Sequence, residues 1–318
     1  MNIFKIFKKQ MYISLGIKKY GIVYNIPIDV RARIDKNDFY FSIVSIIKDE
    51  GQYLEEWIEF HRLVGCEHFI LYDNDSTDNT GEILQKYIES NIVTLIPWPR
   101  FCATHSLQML AYSHALALMA GRTRWLCFID LDEFLFPTET DDLRTALVEF
   151  ENEPAVGVYW SLFGTSGHKS KPQGLVIENY TWRMPYPMER TAAPNQEPLR
   201  EKKSVASKLK SIVQPTRVIS TIGCHTFKTD RFPVLSVDGG WNEIRLNKKK
   251  KFLVEKFQLN HYISKSQEEW NTRLERRGVE GIDRSKRKQR MLDAIEADPI
   301  RDTEILKYLP KLKCKVSV

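Results

Sequence analysis

The chain has 318 residues, of which 42% are hydrophobic and 28% are charged, and its formal net charge is +6. This length can bury one large α/β core or two smaller ones, and the composition, without excess Gly or Pro, is ordinary for a globular protein. No apolar run approaches the roughly 18 residues of a membrane-spanning helix. Five scattered cysteines without a Cys-x-x-Cys pair argue against a disulfide framework and against a zinc site.

Residues 1–38 are predicted to form a basic appendage, because five lysines precede the first acidic residue, Asp29. The apolar stretch there is too short and too lysine-rich for a secretory signal, so we expect a cytoplasmic protein. Residues 1–20 are predicted to contact anionic lipid at the inner face of the membrane. Two later basic runs, 248–251 and 284–290, contain almost no aromatic residues, which argues against nucleic-acid binding.

Strands and helices alternate along the first half of the chain. Apolar β-branched runs predict strands and apolar residues at helical spacing predict helices. The predicted order is a strand at 39–47, a helix at 53–63, a strand at 68–72, a helix after Asn79, a strand at 92–96, a helix at 106–120 and a strand from Trp125. This order is typical of a parallel sheet with right-handed crossovers, whose ligands bind beyond the carboxyl ends of the strands.

The second half of the chain is less regular. Strands are predicted at 156–163, 175–182, 208–215, 218–227 and 251–263, with an irregular loop at 183–204. Ser266 and Glu269 have the spacing of a capping box, which predicts that a helix begins there. The remainder from residue 281 is predicted to be helical and charged.

Three polar clusters follow the first, second and fourth predicted strands, at 48–50, 73–78 and 130–133. If the fourth strand continues, Asp130 and Asp132 share one face and Glu133 points away from them. Two close carboxylates repel each other unless a cation lies between them or one is protonated. The cluster therefore predicts a divalent cation whose shell a substrate's phosphates complete. The alternative is a strand end whose acids cap the next turn and face water.

Basic and imidazole groups near the end of the chain complement these acids. No Gly-rich phosphate loop occurs, so a nucleotide's phosphates would need a metal and basic side chains. His261 can complete a metal shell and Lys265 can neutralise a diphosphate, and a mixed oxygen and nitrogen shell suits manganese better than calcium. His225 is the alternative ligand, and the simpler interpretation of His261 is a hydrogen-bonded core residue.

The acidic loop at 73–78 has the acid spacing of a calcium loop, but Asp78 stands where such a loop needs glycine. After a strand of a parallel sheet, these acids can instead accept hydrogen bonds from a ribose or a base. Turn and cap chemistry alone is the other interpretation.

Four motifs in this order resemble the family 92 glycosyltransferases and their bacterial relatives. They are IVSIIKDE at 43–50, YLEEWIEFH at 53–61, YDNDSTD at 72–78 and FIDLDEF at 128–134, the last matching a D-x-D-E-F form. The resemblance spans roughly residues 40–275. It implies a family 2-like GT-A fold, which is a Rossmann-like, mostly parallel central sheet flanked by helices, with a less regular C-terminal acceptor half.

The resemblance also implies a domain organisation and a set of site residues. The predicted domains are a basic appendage at 1–38, a GT-A domain at 39–280, divided into a nucleotide-sugar half at 39–137 and an acceptor half at 138–280, and a charged helical tail at 281–318. The implied donor is a nucleotide sugar, such as a UDP-sugar, bound with Mn²⁺ or Mg²⁺. The predicted donor-binding residues are Lys48, Glu50, Asp73, Asp75, Asp78, Asp130 and Lys265. The predicted metal ligands are Asp130, Asp132 and His261, with His225 as the alternative.

An inverting transferase also needs a base for the acceptor hydroxyl. Asp238 is the predicted base because glycines and Trp241 follow it, and the other candidates are Glu189, Glu197 and His168. Trp160 and Trp241 are predicted to contact the acceptor, although a core position is the simpler interpretation of Trp160.

The predicted function is a metal-dependent, inverting transfer of sugar to a glycan or glycolipid in bacterial surface-polysaccharide assembly. The family's better-known members use UDP-galactose and are anchored in the Golgi, so their acceptor is not carried over. One alternative is a nucleotidyltransferase acting on a sugar phosphate, which would be expected to carry a Gly-rich loop. The other is an inactive module that binds a glycan or a nucleotide.

Overall fold

The computed structural model describes residues 38–99, 106–186, 209–230, 256–275 and 285–316. The predicted appendage up to residue 37 and the predicted site residues Asp238 and Trp241 lie outside these ranges, as do Glu189 and Glu197.

The strands are β1 (Phe39–Ile47), β2 (His68–Asp73), β3 (Val93–Pro97), β4 (Thr123–Phe128), β5 (Glu133–Pro137), β6 (Ala155–Leu162), β7 (Trp182–Arg183), β8 (Leu209–Val213), β9 (Val218–Thr221), β10 (Phe227–Thr229), β11 (Phe257–His261) and β12 (Ile300–Arg301). The helices are α1 (Gly51–Leu63), α2 (Thr80–Glu89), α3 (Leu107–Met119), α4 (Leu143–Leu147), α5 (Val176–Asn179), α6 (Gln267–Glu275), α7 (Ser285–Glu296) and α8 (Leu309–Lys313). Short 3₁₀ helices span Val148–Phe150, Pro215–Arg217 and Glu304–Tyr308.

One large mixed sheet organises the described part of the chain. Its eight strands lie in the order β3-β2-β1-β4-β8-β6-β11-β5. The first four are parallel to their neighbours, while β8 is antiparallel to both β4 and β6. β11 is parallel to β6 and antiparallel to β5. The predicted α/β class is confirmed: a parallel first half flanked by helices continues into a less regular second half.

Helices cover both faces of the parallel half. Side chains of β1 alternate between the faces, so Ile43 packs in one apolar cluster with Trp57 of α1, and Val44 packs in the other with Tyr112 of α3. All four of these side chains are fully buried. This two-sided burial explains the continuous apolar run of β1, which is typical of a central parallel strand.

The sheet is curled, and this follows from the short link between β4 and β5. These strands are consecutive in the chain, with only residues 129–132 between them, yet they occupy the fourth and eighth positions of the sheet. In a flat sheet they would lie about 19 Å apart. The link contains a turn, with Glu133 N donating to Asp130 O at 3.0 Å, so it can reach only about 14 Å. The far edge therefore curves back towards β4.

The strand predicted at 175–182 is wrong for most of its length, where the chain forms α5. The buried carboxylate of Glu56, on α1, accepts the backbone N–H groups of Val176 and Ile177 at 2.8 and 3.0 Å. An acceptor for the first N–H groups of a helix favours the helical conformation. Only β7 remains extended.

Residues 285–316, which belong to the predicted tail, pack against the main core. β12 pairs with β7 in a small antiparallel sheet. Buried residues of this segment, among them Leu292, Ile295, Ile305, Tyr308 and Leu312, belong to the same apolar cluster as α1. The charged residues of α7 therefore form its outer face. Within the described residues, no helix has both the length and the apolarity that crossing a bilayer requires.

Candidate active site

The first two polar clusters meet at the carboxyl edge of the parallel strands. Lys48 Nζ donates to the backbone oxygens of Asn74 and Asp75 at 2.7 and 2.9 Å. The Asp49 carboxylate accepts from the Thr77 N–H at 2.7 Å. Lys48, predicted to bind the donor, thus ties together the loops that follow β1 and β2.

The predicted nucleoside-binding acids lie in different environments. Asp78 accepts from the N–H groups of Gly51 and Thr80, at 2.8 and 3.1 Å, and so holds the starts of α1 and α2. Asp73 accepts from the Ser76 N–H at 3.1 Å. Asp75 is exposed and has a φ of 56°. Its side chain is the one best placed to reach a ligand from solvent.

The acidic stretch at 130–133 forms a turn. The prediction that Asp130 and Asp132 share one face of a continuing strand is wrong, because β4 ends at Phe128. Glu133 begins β5, and its side chain accepts from the Asp130 N–H at 3.0 Å. The turn directs Asp132 and Glu133 to one set of partners and Asp130 to another.

Asp132, Glu133 and His261 form a buried cluster. His261 stands opposite Glu133 in the antiparallel pairing of β11 with β5. His261 Nε2 is 3.5 Å from Asp132 Oδ1, and His261 Nδ1 is 3.8 Å from Glu133 Oε1. One potential ligand atom from each residue lies within 4.8 Å of the others. This is the donor set of two carboxylates and one imidazole that suits a divalent metal ion.

The hydrogen bonding of this cluster is incomplete within the described residues. Glu133 Oε1 and both ring nitrogens of His261 are buried without a hydrogen-bond partner. Buried polar atoms are nearly always satisfied, and an unmodelled ion is one of the usual reasons when they are not. Burial, together with Asp130 and Asp132, raises the pKa of the Glu133 carboxyl well above its usual value, and Lys210 opposes the shift only partly. These residues fit a metal ion.

Asp130 has separate partners. Its carboxylate accepts from Gln108 Nε2 at 2.9 Å and from Lys210 Nζ at 2.8 Å. Lys210, on β8, is fully buried and its Nζ is also 3.4 Å from Glu133 Oε2. Burial opposes the charge on Lys210, but Asp130 and Glu133 outweigh it and raise the pKa of the ammonium group. The structure thus pairs Asp130, a predicted metal ligand, with a lysine.

Two further cations lie beside Asp132. Arg273, on α6, donates to Asp132 Oδ2 at 2.7 Å and to the Ile263 carbonyl at 3.1 Å. Lys265 Nζ lies 3.7 Å from the centre of the Tyr53 ring. Burial opposes ionisation of Asp132, but His261, Arg273 and Lys265 hold the pKa of its carboxyl well below the usual range.

The start of α6 sets the position of Arg273. The predicted capping box is confirmed, since Ser266 Oγ accepts from the Glu269 N–H at 3.3 Å and Glu269 accepts from the Ser266 N–H at 3.0 Å. Arg273 follows Ser266 by about two helical turns and therefore returns to the same side of α6.

Glu50 follows β1 and senses the same charges. Burial raises the pKa of its carboxyl to about 7, and nearby Asp132 adds to the shift while Lys265 opposes it. A carboxyl group that titrates near neutrality can exchange a proton with a substrate.

Trp160 separates the two candidate histidines. Its ring centre is 4.4 Å from that of His261 and 5.2 Å from that of His225. Trp160 is buried, so it forms a wall of the cluster. The structure places His261, and not His225, with the carboxylates. His168 lies elsewhere, with Nε2 at 3.1 Å from the Asn179 carbonyl.

The chain shares its sequence pattern with a known family. The profile of glycosyltransferase family 92 matches residues 38–296. A glycosyltransferase family 92 protein of Ricinus communis is 28% identical over 206 residues, or 62% of this chain and 33% of that protein. The galactan beta-1,4-galactosyltransferase GALS2 of Arabidopsis thaliana is 27% identical over 126 residues, or 37% of this chain and 24% of that protein. The matched segments span a third or less of these relatives.

A solved structure overlaps with part of the chain. S. aureus TarS 1–349 in complex with UDP is 17% identical and has a TM-score of 0.29, covering 45% of this chain and 40% of that one. An overlap of this size transfers neither ligand nor mechanism. The family profile, in contrast, covers most of the chain, including the acidic turn and His261. The chain belongs to glycosyltransferase family 92.

Proposed function

We propose that this chain is a metal-dependent glycosyltransferase that moves a sugar from a nucleotide sugar, taken to be a UDP-sugar, to a glycan or glycolipid. The observation that carries the proposal is the buried cluster of Asp132, Glu133 and His261 beside Arg273, in a chain that belongs to family 92. The relative named as a galactan galactosyltransferase supports a glycan acceptor.

Asp132, Glu133 and His261 would hold the metal, Mn²⁺ or Mg²⁺. When bound, such an ion stabilises the diphosphate of the leaving nucleotide. Arg273 and Lys265 lie where they can bind the same diphosphate, Arg273 through paired N–H groups and Lys265 as a point charge. Asp75, and Asp73 behind it, would accept hydrogen bonds from the nucleoside.

Proton transfer is the second requirement of inverting chemistry. Asp238 stays a prediction outside the described residues, and within them Glu50 is a candidate, since the pKa of its carboxyl is about 7. Its carboxylate form would accept the proton of the acceptor hydroxyl as the new bond forms. Trp160 and Trp241 stay predictions for acceptor contact. So do inversion, surface-polysaccharide assembly and membrane contact through residues 1–20.

Replacing Asp132 by alanine tests the proposal. A panel of UDP- and GDP-sugars is incubated with the chain and Mn²⁺, and release of the nucleoside diphosphate is measured. We expect release from at least one donor, and a loss of about 100-fold or more in Asp132→Ala, because the variant lacks both a metal ligand and the partner of Arg273.

Glu149→Ala is the matched control, since this exposed acid pairs with Lys256 on the surface, and it should retain activity. Wild-type rates in Asp132→Ala would refute the assignment. Binding of donors without any release would favour the inactive module, and release of pyrophosphate would favour the nucleotidyltransferase. A thermal-shift screen finds the donor first, since a ligand at 100 times its Kd adds about 2.7 kcal/mol of stability.

A further inference from the structure

An open pocket of about 370 Å³ lies beside the candidate active site. It is lined by residues 164–167, Trp182, Ile295, Glu296 and Pro299. None of these residues belongs to the metal cluster or to its cations. The pocket thus combines an indole ring, a carboxylate and two hydroxyl groups in residues to which the proposed donor chemistry gives no role.

Trp182 is held outward by its neighbour in β7. Its side chain is 41% exposed, whereas the next residue, Arg183, is buried. Arg183 Nε donates to Asp302 at 2.6 Å, and its guanidinium lies 4.2 Å from the centre of the Tyr186 ring. Because side chains alternate along a strand, fixing Arg183 inside fixes Trp182 outside. A large, rigid, exposed aromatic side chain is typical of a binding surface.

Polar groups of the pocket have unused hydrogen-bonding capacity. Glu296 Oε1 accepts from the Thr165 N–H at 2.9 Å and from the Thr165 hydroxyl at 2.5 Å, and neither bond uses Oε2. Ser166 Oγ accepts from the N–H groups of Thr181 and Trp182 at 3.0 and 3.2 Å, which leaves its hydroxyl hydrogen available. An acceptor and a donor therefore lie beside the indole ring.

The pocket lies close to His261 in the fold. Leu162, at the end of β6, stands opposite His261 at the end of β11. Gly164 follows two residues later, so its Cα lies at most about 7 Å from that of Leu162, and paired strands are about 4.8 Å apart. The same loop supports α6, since the His168 carbonyl accepts from the Gln267 N–H at 3.0 Å.

We propose that this pocket binds one sugar unit of the acceptor glycan. The apolar face of a sugar ring would stack on Trp182, while its hydroxyl groups would donate to Glu296 and accept from Ser166. The Glu296 carboxylate repels phosphate groups, so a neutral saccharide fits better than a nucleotide. The inference rests on the proposed function and extends it to the acceptor, with a site beyond the sugar that receives the transfer.

Binding of defined oligosaccharides tests the pocket. Galactotetraose, cellotetraose and mannotetraose are titrated into the full chain without donor, with saturation-transfer NMR to detect binding and calorimetry to measure Kd. We expect at least one to bind, and Trp182→Ala to weaken that binding about tenfold, as truncation of a tryptophan anchor usually does. Trp182→Phe should restore part of the affinity, and Val148→Ala, at an equally exposed apolar position, should leave it unchanged.

Two readouts separate this inference from the proposed function. Asp132→Ala should retain oligosaccharide binding, whereas UDP release without acceptor should be lost in that variant. If none of the three oligosaccharides binds, or if Trp182→Ala binds as tightly as the wild type, the pocket assignment is overturned, even when UDP release is normal. If oligosaccharides bind through Trp182 but no nucleotide sugar is turned over, the proposed function fails and the pocket stands.

Discussion

At the scale of single residues, the three acidic side chains of one turn meet different partners. Asp132 and Glu133 face His261, whereas Asp130 faces Lys210 and Gln108. The acid whose geometry departs most from the sequence prediction is Glu133. It was expected to point away from its neighbours, yet it stands opposite His261 across the strand pair.

This difference predicts how each acid affects metal binding. Glu133→Gln should weaken binding of Mn²⁺ in the presence of UDP by at least about tenfold, because it removes a charged ligand from a buried site. Asp130→Asn should weaken it less, since Lys210 already neutralises Asp130. Calorimetric titration of both variants provides the comparison, and an equal or larger loss in Asp130→Asn would return Asp130 to the metal shell.

A second residue-scale prediction concerns His61. Its Nδ1 is 2.8 Å from the Trp57 carbonyl, and its Nε2 accepts from the Leu135 N–H at 3.1 Å, so the buried ring is neutral. Burial lowers the pKa of His61 to about 3, from 6.5 in the unfolded chain. Between these values the unfolded state binds more protons, so stability falls as the pH drops below about 6.5.

The size of this effect can be measured by urea unfolding at pH 7 and pH 5. His61 should account for a loss of about 2 kcal/mol between these pH values. His61→Gln can keep both hydrogen bonds but cannot titrate, so its own loss should be smaller by that amount. Identical pH profiles for the two proteins would show that folded His61 takes up its proton.

At the scale of elements, β8 brings a buried cation between two acids. Lys210→Met should lower the free energy of unfolding by about 3 kcal/mol or more, because Asp130 and Glu133 lose their shared partner in the interior. Lys256→Met removes an exposed lysine that also pairs with two acids, and it should change stability little. Denaturant midpoints that shift equally in both variants would contradict the role given to Lys210.

At the scale of the whole molecule, residues 285–316 complete the core. Leu312, on α8, is fully buried in the cluster that contains α1. Leu312→Ala should destabilise the protein by about 2–5 kcal/mol, as other large-to-small core substitutions do. The adjacent exposed Lys311→Ala should stay within about 0.5 kcal/mol of the wild type. Thermal unfolding of both variants decides whether this segment belongs to the fold or is an accessory tail.

Local patterns predicted the parallel half of the fold well. The alternation of strands and helices up to residue 128, and the capping box at Ser266, depend on residues near in sequence. The same holds for the shared edge of the first two polar clusters, since parallel strands end together. His261 was found because an imidazole after an apolar run complements carboxylates.

Contacts between distant parts of the chain decided the rest. The helix at 176–179 depends on Glu56, which is 120 residues away from Val176. The turn at 130–133 depends on the pairing of β5 with β11. Lys210 and Arg273 were missed, although each left a signal: Lys210 is a lone charge in an apolar strand, and Arg273 lies two turns after a capping box.

The curl of the sheet has a consequence for the folding pathway. The parallel half, β1 to β4, can form from contacts near in sequence, whereas Asp132 and Glu133 meet His261 only after β11 pairs with β5. Pairing of segments so distant in the chain is slow, since loop closure precedes the reward of contact. A folding intermediate with an intact nucleoside-binding edge would therefore lack the metal site, and the gain of metal affinity would time the closing of the sheet.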